Sequence, residues 1–159
     1  MKQCFLNVVG ERVFAIPMVT THDGWEMFVG PVILLGELPS ISDKDIGEST
    51  LSAVNAHVSG VPDEIVDTTL LDRSASRFGF KSYKSFLWKS RQMSVDQEGA
   101  DKFKLTPYAK VNRESAVPLD TILYSTGAPS DLGRAVRDCI ELCRERSRMS
   151  QAREQRREG

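Results

Sequence analysis

The first 35 residues alternate between apolar runs and turn residues, as β structure does. Cys4–Val9 is rich in apolar and β-branched residues, and Gly10-Glu11 can form a two-residue turn into a second strand at Arg12–Val19. Pro17 near the end of that strand indicates an edge or a bulge. Two shorter strands are predicted at Trp25–Val29 and Val32–Leu35, followed by a loop at 36–41.

Helical spacing replaces this pattern after residue 41. Ser42 can cap a first helix with Asp45 three residues later, and Ile46, Thr50 and Val54 then fall on one face. Further breaks and caps predict where this helix ends and where the others lie. The first helix should end at Gly60 and Pro62, and further helices are predicted at Thr69–Phe78, after a Ser82 cap, and from a Ser130 cap to Cys143.

Between the third predicted helix and the last, apolar and polar residues again alternate with the two-residue period of a β-strand. Gln92–Glu98 and Lys102–Thr106 alternate on either side of a turn, which predicts an amphipathic hairpin with one wet face. A last strand is predicted at Asp120–Ser125. The order of strands, helices, strands and helix predicts an α+β fold, with an antiparallel or mixed sheet packed against three to four helices. One domain should span residues 1–143, with an Arg-rich helix end and flexible tail at 144–159.

Charge divides the chain into an acidic body and a basic tail. The net charge is −1, with 15 basic and 19 acidic residues before Arg144, and six arginines and three glutamates from there on. No apolar run approaches the roughly 20 residues of a membrane span, and no signal-peptide core is visible near the N-terminus. We therefore expect a soluble cytoplasmic protein with no membrane partner.

The cysteines and histidines do not form a metal-binding pattern. Cys139 and Cys143 lie four apart on the apolar stripe of the last helix, where small core residues are expected, and Cys4 is in the first strand. His22 and His57 show no spacing relative to them. His57 is interpreted as a hydrogen-bonded, half-buried residue of the first helix. No cofactor or metal is expected.

Catalytic motifs are absent from the sequence. There is no nucleophile elbow, phosphate-binding loop, dinucleotide fingerprint or zinc-protease motif. A hydrolase remains as a third hypothesis. It would place His22 and a nearby carboxylate such as Asp23 in a concave pocket.

Lysines alternate with aromatic residues between 78 and 89. Lys81, Lys84 and Lys89 could bind phosphates while neighbouring rings stack on bases, so a nucleic-acid-binding module using Lys81–Lys89 and the Arg-rich tail is the alternative function. Helical spacing explains Tyr83, Phe86 and Leu87 more simply as core. Trp88 falls off that stripe and is an interface candidate.

Several segments, taken in order, resemble a known family. They are the N-terminal hairpin with Pro17, Gly24-Trp25 followed by Gly30-Pro31, SDKDIGESTLSAV at 42–54, FGFKSYKSFLWKSRQMSV at 78–95 and APSDLGRAVRDCIELC at 128–143. Together they cover nearly all of residues 1–143, and the chain resembles the CdiI-type immunity proteins of contact-dependent growth inhibition (CDI) systems. The shared positions are interpreted as structural: Gly24, Gly30, Gly47, Leu51, Gly79 and Gly133.

The resemblance implies a bacterial, cytoplasmic protein that is not an enzyme and needs no cofactor. Such proteins bind and neutralise the C-terminal toxin domain of one CDI effector (a CdiA-type protein), commonly a nuclease. Their binding residues differ between members, so none can be carried over by motif. Direct nucleic-acid binding is not expected on this interpretation.

Opposite charge suggests where the toxin would bind. Nuclease toxins carry basic clefts, and carboxylates on loops of the inhibitor would steer the encounter. The candidate toxin-binding residues are an acidic stretch of Asp63, Glu64, Asp67 and Asp72, the acidic residues Asp96, Glu98 and Asp101 around the predicted 99–101 turn, and Trp88.

Overall fold

A computed structural model of the chain describes residues 1–63, 69–111 and 115–158, with side chains described up to residue 143. These residues form a sheet of nine strands and four α-helices in one α+β domain, which confirms the expected fold class. The strands are β1 (Lys2–Val9), β2 (Arg12–Thr21), β3 (Glu26–Phe28), β4 (Ile33–Glu37), β5 (Val58–Val61), β6 (Arg91–Gly99), β7 (Lys102–Lys110), β8 (Ala116–Pro118) and β9 (Leu123–Ser125). The helices are α1 (Asp43–Asn55), α2 (Thr69–Arg77), α3 (Tyr83–Lys89) and α4 (Pro129–Glu158).

The sheet is centred on the pairing of two hairpins. Its order is β3-β2-β1-β6-β7-β8, while β4 and β5 also pair with β2 and β9 pairs with β7. Every pairing is antiparallel except that of β5 with β2, so the sheet is mixed. The β1–β2 turn at Gly10-Glu11 and the β6–β7 hairpin are where the sequence predicts them.

Helices α1 and α4 cover one face of the sheet. Apolar residues of β1, β2, β6 and β7 point toward them and are buried against residues such as Ile46 and Val54 of α1 and Leu132 and Val136 of α4. Cys139 and Cys143 are buried in the same cluster, which confirms the interpretation of these cysteines as small core residues.

Two glycines let α1 and α4 cross in close contact. A Cβ atom at Gly47 would lie 1.8 Å from the carbonyl oxygen of Pro129, the first residue of α4. A Cβ atom at Gly133 would lie 1.7 Å from the carbonyl oxygen of Asp43, the first residue of α1. Each glycine therefore faces the start of the other helix, and only a residue without a side chain fits there.

Arg137 stabilises the contact between α1 and α4 one turn further along α4. Its Nε donates to Oδ1 of Asp43 at 2.6 Å, its Nη1 donates to the carbonyl oxygen of Leu38 at 2.9 Å, and its Nη2 donates to that of Ile41. One planar guanidinium thus joins α4 to α1 and to the loop before it.

Helices α2 and α3 cover part of the opposite face. Phe14, Ile16 and Val32 pack there against Leu71, Ala75, Phe80 and Phe86. The ring of Phe14 meets those of Phe78 and Phe86 edge-on, with both pairs of centroids 5.2 Å apart. The sheet therefore lies between two helical layers, and the second layer is the smaller.

The predicted caps are confirmed for α1 and α3. The backbone N–H of Asp45 donates to Oγ of Ser42 at 3.1 Å, and that of Ser85 donates to Oγ of Ser82 at 3.1 Å. The prediction for α4 is wrong, because Pro129 already begins the helix and Ser130 lies within its first turn. Proline suits the first helical position, since its missing N–H would have no partner there.

Four other predictions are corrected. The first helix ends at Asn55 rather than at Gly60 and Pro62, and 58–61 forms the parallel edge strand β5. β4 continues through Glu37 into the predicted loop. The last strand, β9, is shorter than the predicted 120–125, and the short strand β8 before it has no sequence prediction. The second face of the β6–β7 hairpin is not fully exposed to solvent as predicted, because Ser94 and Thr106 on it are buried.

Candidate functional site

Among the residues that the structure describes, no helix covers one part of the sheet, and the side chains there form the candidate site. On strands β1, β6 and β7 the residues that do not point toward α1 and α4 point to the opposite face, and part of that face lies beyond the area that α2 and α3 cover. β3 borders this area next to the end of β2. We call it the open sheet face and define it by Gln3, Phe5, Glu26, Phe28, Ser94, Asp96, Lys104, Thr106 and Tyr108.

Aromatic rings form a continuous row across the open sheet face. Phe5 lies between Phe28 and Tyr108, with ring centroids 4.9 Å and 5.5 Å away. Phe28 in turn contacts Tyr83 of α3 with centroids 6.5 Å apart. The first three rings are half-buried, so each keeps part of its surface available to a partner.

Charged groups line the row on its β6–β7 side. Asp96 of β6 lies directly opposite Lys104 of β7 in the strand register. Burial raises the pKa of Asp96; Lys104 lowers it, while Glu26 and Glu98 raise it further. Burial likewise raises the pKa of Tyr108, as do Asp96 and Glu26, against a hydrogen bond with Ser94. The Asp96 carboxylate therefore lies in a partly desolvated setting, as expected at a binding site.

Gln3 lies at the floor of the open sheet face. It pairs with Asp96 in the β1–β6 register and is 6% exposed. Its side-chain Nε2 is buried and has no hydrogen-bond partner within the part of the chain that the structure describes. Buried donors are nearly always paired, so this amide marks an incomplete hydrogen-bond arrangement.

His57 forms hydrogen bonds beside Gln3. The backbone N–H of Gln3 donates to Nδ1 of His57 at 3.0 Å, and Nε2 of His57 lies 2.7 Å from Oγ1 of Thr20. Because Nδ1 accepts a hydrogen bond, the ring is neutral, and burial lowers its pKa. His57 is hydrogen-bonded as expected, but it is buried rather than half-buried and follows the end of α1 instead of lying on that helix.

Trp88 flanks the open sheet face beyond Tyr108. Its side chain is 43% exposed, and Nζ of Lys110 lies 5.6 Å from the ring centroid. Burial lowers the pKa of Lys110 to about 8. The sequence prediction that Trp88 leaves the core stripe of its helix agrees with this position, whereas Phe86 is fully buried.

Two of the acidic candidates lie at or beside the open sheet face, and a third lies elsewhere. Asp96 lies on it, and Glu98 follows on the same strand, where its Oε2 is 3.4 Å from Nζ of Lys102. Asp63 is exposed next to Asp23 at another end of the sheet, where a hydrogen bond and like charge between the two carboxyls raise the pKa of Asp23. Glu64 and Asp67 lie outside the described residues.

Two other acidic candidates hold the fold together. Oδ1 of Asp72 accepts the backbone N–H of Tyr83 at 2.8 Å and so fixes the start of α3 against α2. Oδ1 of Asp101 accepts the backbone N–H of Gly127 at 2.6 Å and so ties the β6–β7 turn to the segment before α4. Each carboxylate already has a structural hydrogen bond.

The geometry gives little support to the hydrolase hypothesis or to the nucleic-acid-binding hypothesis. His22 is exposed in the turn after β2, and none of three surface clefts of about 420, 390 and 320 Å³ is lined by it. In the segment 78–89, Phe80 and Phe86 are buried in the core beneath α2 and α3, so these two rings are not free to stack on bases. Among the described residues no three His, Cys, Asp or Glu side chains converge as a metal site.

Sequence reasoning did not identify Gln3, Phe5, Glu26 and Tyr108 as site residues. The alternation along β1 and β7 assigns Phe5 and Tyr108 to the face away from the main core, which was the available signal. That α2 and α3 leave this face partly uncovered depends on tertiary packing.

No protein-family model matches the chain, and no curated protein matches it by sequence. The helices of the described residues include none that is both long and apolar enough to cross a membrane.

Two solved structures share the fold over most of their length. A protein of unknown function from Neisseria meningitidis has a TM-score of 0.70 at 13% identity, and the match covers 89% of this chain and 94% of that one. A chain of the CdiA-CT/CdiI toxin and immunity complex from Yersinia pseudotuberculosis has a TM-score of 0.67 at 12% identity, covering 89% and 96%. This protein therefore has the fold of a component of a toxin and immunity complex.

Proposed function

We propose that this chain is a CDI immunity protein, which binds the C-terminal toxin domain of its cognate effector in the bacterial cytoplasm and neutralises it. The toxin is expected to be a nuclease. The protein acts by binding alone, without catalysis and without a cofactor.

The observation that carries this proposal is the shared fold with a chain of a toxin and immunity complex, over 89% of the present chain. Fold alone does not determine function, so the site must supply the rest of the argument. The order of sequence segments that resembles CdiI-type proteins provides independent support.

The open sheet face supports a protein partner over a small substrate. It is a broad surface of half-buried aromatic rings with charged groups at its margin, as in protein interfaces, where Tyr, Trp and Phe are enriched. The acidic body, with 15 basic and 19 acidic residues before Arg144, would attract a basic nuclease surface.

Trp88, Asp96 and Glu98 are retained from the sequence-based interface candidates. They lie on or beside one continuous surface, and Trp88 has an exposed ring of the kind that forms interface hot spots. Asp72 and Asp101 become secondary candidates, because each already accepts a structural hydrogen bond. Asp63, Glu64 and Asp67 remain a proposed second contact region.

Growth protection tests the proposed function. The toxin domain encoded beside this gene would be induced in a bacterial host with and without this protein, and a toxin domain from an unrelated effector would serve as the control. We expect restored growth with the neighbouring toxin only. Growth arrest despite folded, soluble protein would contradict the proposal.

A further inference from the structure

Glu26 and Asp96 bring two carboxylates to one part of the open sheet face, from β3 and β6. Both raise the pKa of Tyr108, and Glu26 raises that of Asp96, so the groups lie close enough to repel each other. Among the described cations only Lys104 lowers the pKa of Asp96, and Glu98 is paired with Lys102. Asp96 thus has two like-charged neighbours and one cation acting on it.

Gln3 provides a second, independent observation that this group of polar side chains lacks a hydrogen-bonding partner within the described part of the chain. It lies on the same face, across from Asp96, and its buried Nε2 has no acceptor among the residues described. A ligand that completes this site would bring a cation for the carboxylates and an oxygen acceptor for the amide. A peptide segment with a basic side chain carries both.

The aromatic row of Phe5, Phe28 and Tyr108 lies beside these groups. A guanidinium can stack on an aromatic face while it donates two parallel hydrogen bonds to a carboxylate. An ammonium of lysine cannot make the bidentate contact. The aromatic row and the two carboxylates therefore favour an arginine side chain over a lysine.

We propose that a basic segment of the toxin domain binds the open sheet face, with an arginine side chain against Glu26 and Asp96 and a backbone carbonyl accepting from Gln3. This inference rests on the proposed function and names the interface through which it operates. The free protein keeps a desolvated carboxylate and an unpaired amide because the partner satisfies both on binding.

Neutral, nearly isosteric variants test the inference. Glu26→Gln, Asp96→Asn and their double variant would be titrated with the toxin domain in a calorimeter. Removing one member of a charge pair that the toxin domain would bury should raise Kd at least about 30-fold. Asp138→Asn is the matched control, since it removes one exposed carboxylate on α4, in the opposite layer, and should leave Kd unchanged.

Thermal unfolding distinguishes a binding role from a structural one. Since the Asp96 carboxylate is partly desolvated in the free protein, Asp96→Asn should keep or raise Tm while it weakens binding. Gln3→Met removes the unpaired donor at similar volume and should behave in the same way. Parallel losses of Tm and affinity would overturn the inference.

The remaining outcomes separate this inference from the proposed function. Wild-type affinity in the Glu26→Gln, Asp96→Asn double variant would overturn the interface while leaving the immunity function intact. Absence of binding by the wild-type protein itself would overturn the proposed function and this inference with it.

Discussion

Replacing Gly133 by alanine should destabilise the protein, although alanine is the better helix former. Alanine would gain about 1 kcal/mol from helix propensity at an unstrained position. The added Cβ, however, would lie 1.7 Å from the carbonyl oxygen and 2.5 Å from the carbonyl carbon of Asp43, where ordinary contacts begin near 3.4 Å. The opposing group is backbone at the start of α1, so no side chain can move aside.

The magnitude follows from how far the helices must separate. Relieving the clash requires a displacement of about 1.5 Å between α1 and α4, in the middle of the larger core. Overpacking typically costs about 1 to 3 kcal/mol, and a backbone clash belongs at the upper end. After subtracting the propensity gain, we expect a net loss of about 2 kcal/mol, or a Tm lower by about 4 to 8 °C.

Urea unfolding followed by far-UV circular dichroism measures this loss as a lower midpoint at an unchanged slope. Arg134→Ala is the matched control, because Arg134 is the exposed neighbour of Gly133 on the same helix and its loss should change stability by less than about 0.5 kcal/mol. Gly47→Ala should be destabilising for the reciprocal reason. A Gly133→Ala protein as stable as the wild type, or more stable, would refute the close crossing.

Two further changes probe other supports of the fold. Burial lowers the pKa of His57 in the folded protein below its value in the unfolded chain. Its contribution to stability should therefore be complete above about pH 6.5 and decline as the pH falls toward the pKa of the folded state. The urea midpoints at pH 7.5 and 5.5 should differ more for wild type than for His57→Gln, and equal differences would contradict this. Arg137→Lys keeps the charge but loses the fork that reaches Asp43 and two carbonyl oxygens, and since both side chains are about one-third exposed we expect a cost of about 1 to 2 kcal/mol in the same assay. Unchanged stability would show that a lysine suffices there.

Local signals in the sequence predicted much of the fold. The caps at Ser42 and Ser82 and the two hairpins depend on neighbours in the chain, and all of them are confirmed. Strand β5 was missed because Gly60 and Pro62 indicate a helix end, whereas the strand exists through its pairing with β2. Short edge strands of this kind are set by tertiary contacts rather than by their own pattern.

The candidate site was less accessible to sequence reasoning than the fold. Acidic residues in loops are expected to be solvated contacts, yet Asp72 and Asp101 accept backbone hydrogen bonds from residues 11 and 26 positions away. Conversely, Glu26 and Asp96 are 70 positions apart in the sequence and share one face of the sheet only because β3 and β6 both contribute to it. Such partners emerge only from the strand order.

The central claim is that this protein binds and neutralises a toxin domain. Its most direct test is calorimetric titration of the whole protein with the folded C-terminal toxin domain encoded beside its gene. We predict one-to-one binding with nanomolar Kd and loss of the toxin's activity in the complex. No heat of binding at micromolar concentrations of both proteins would contradict the account.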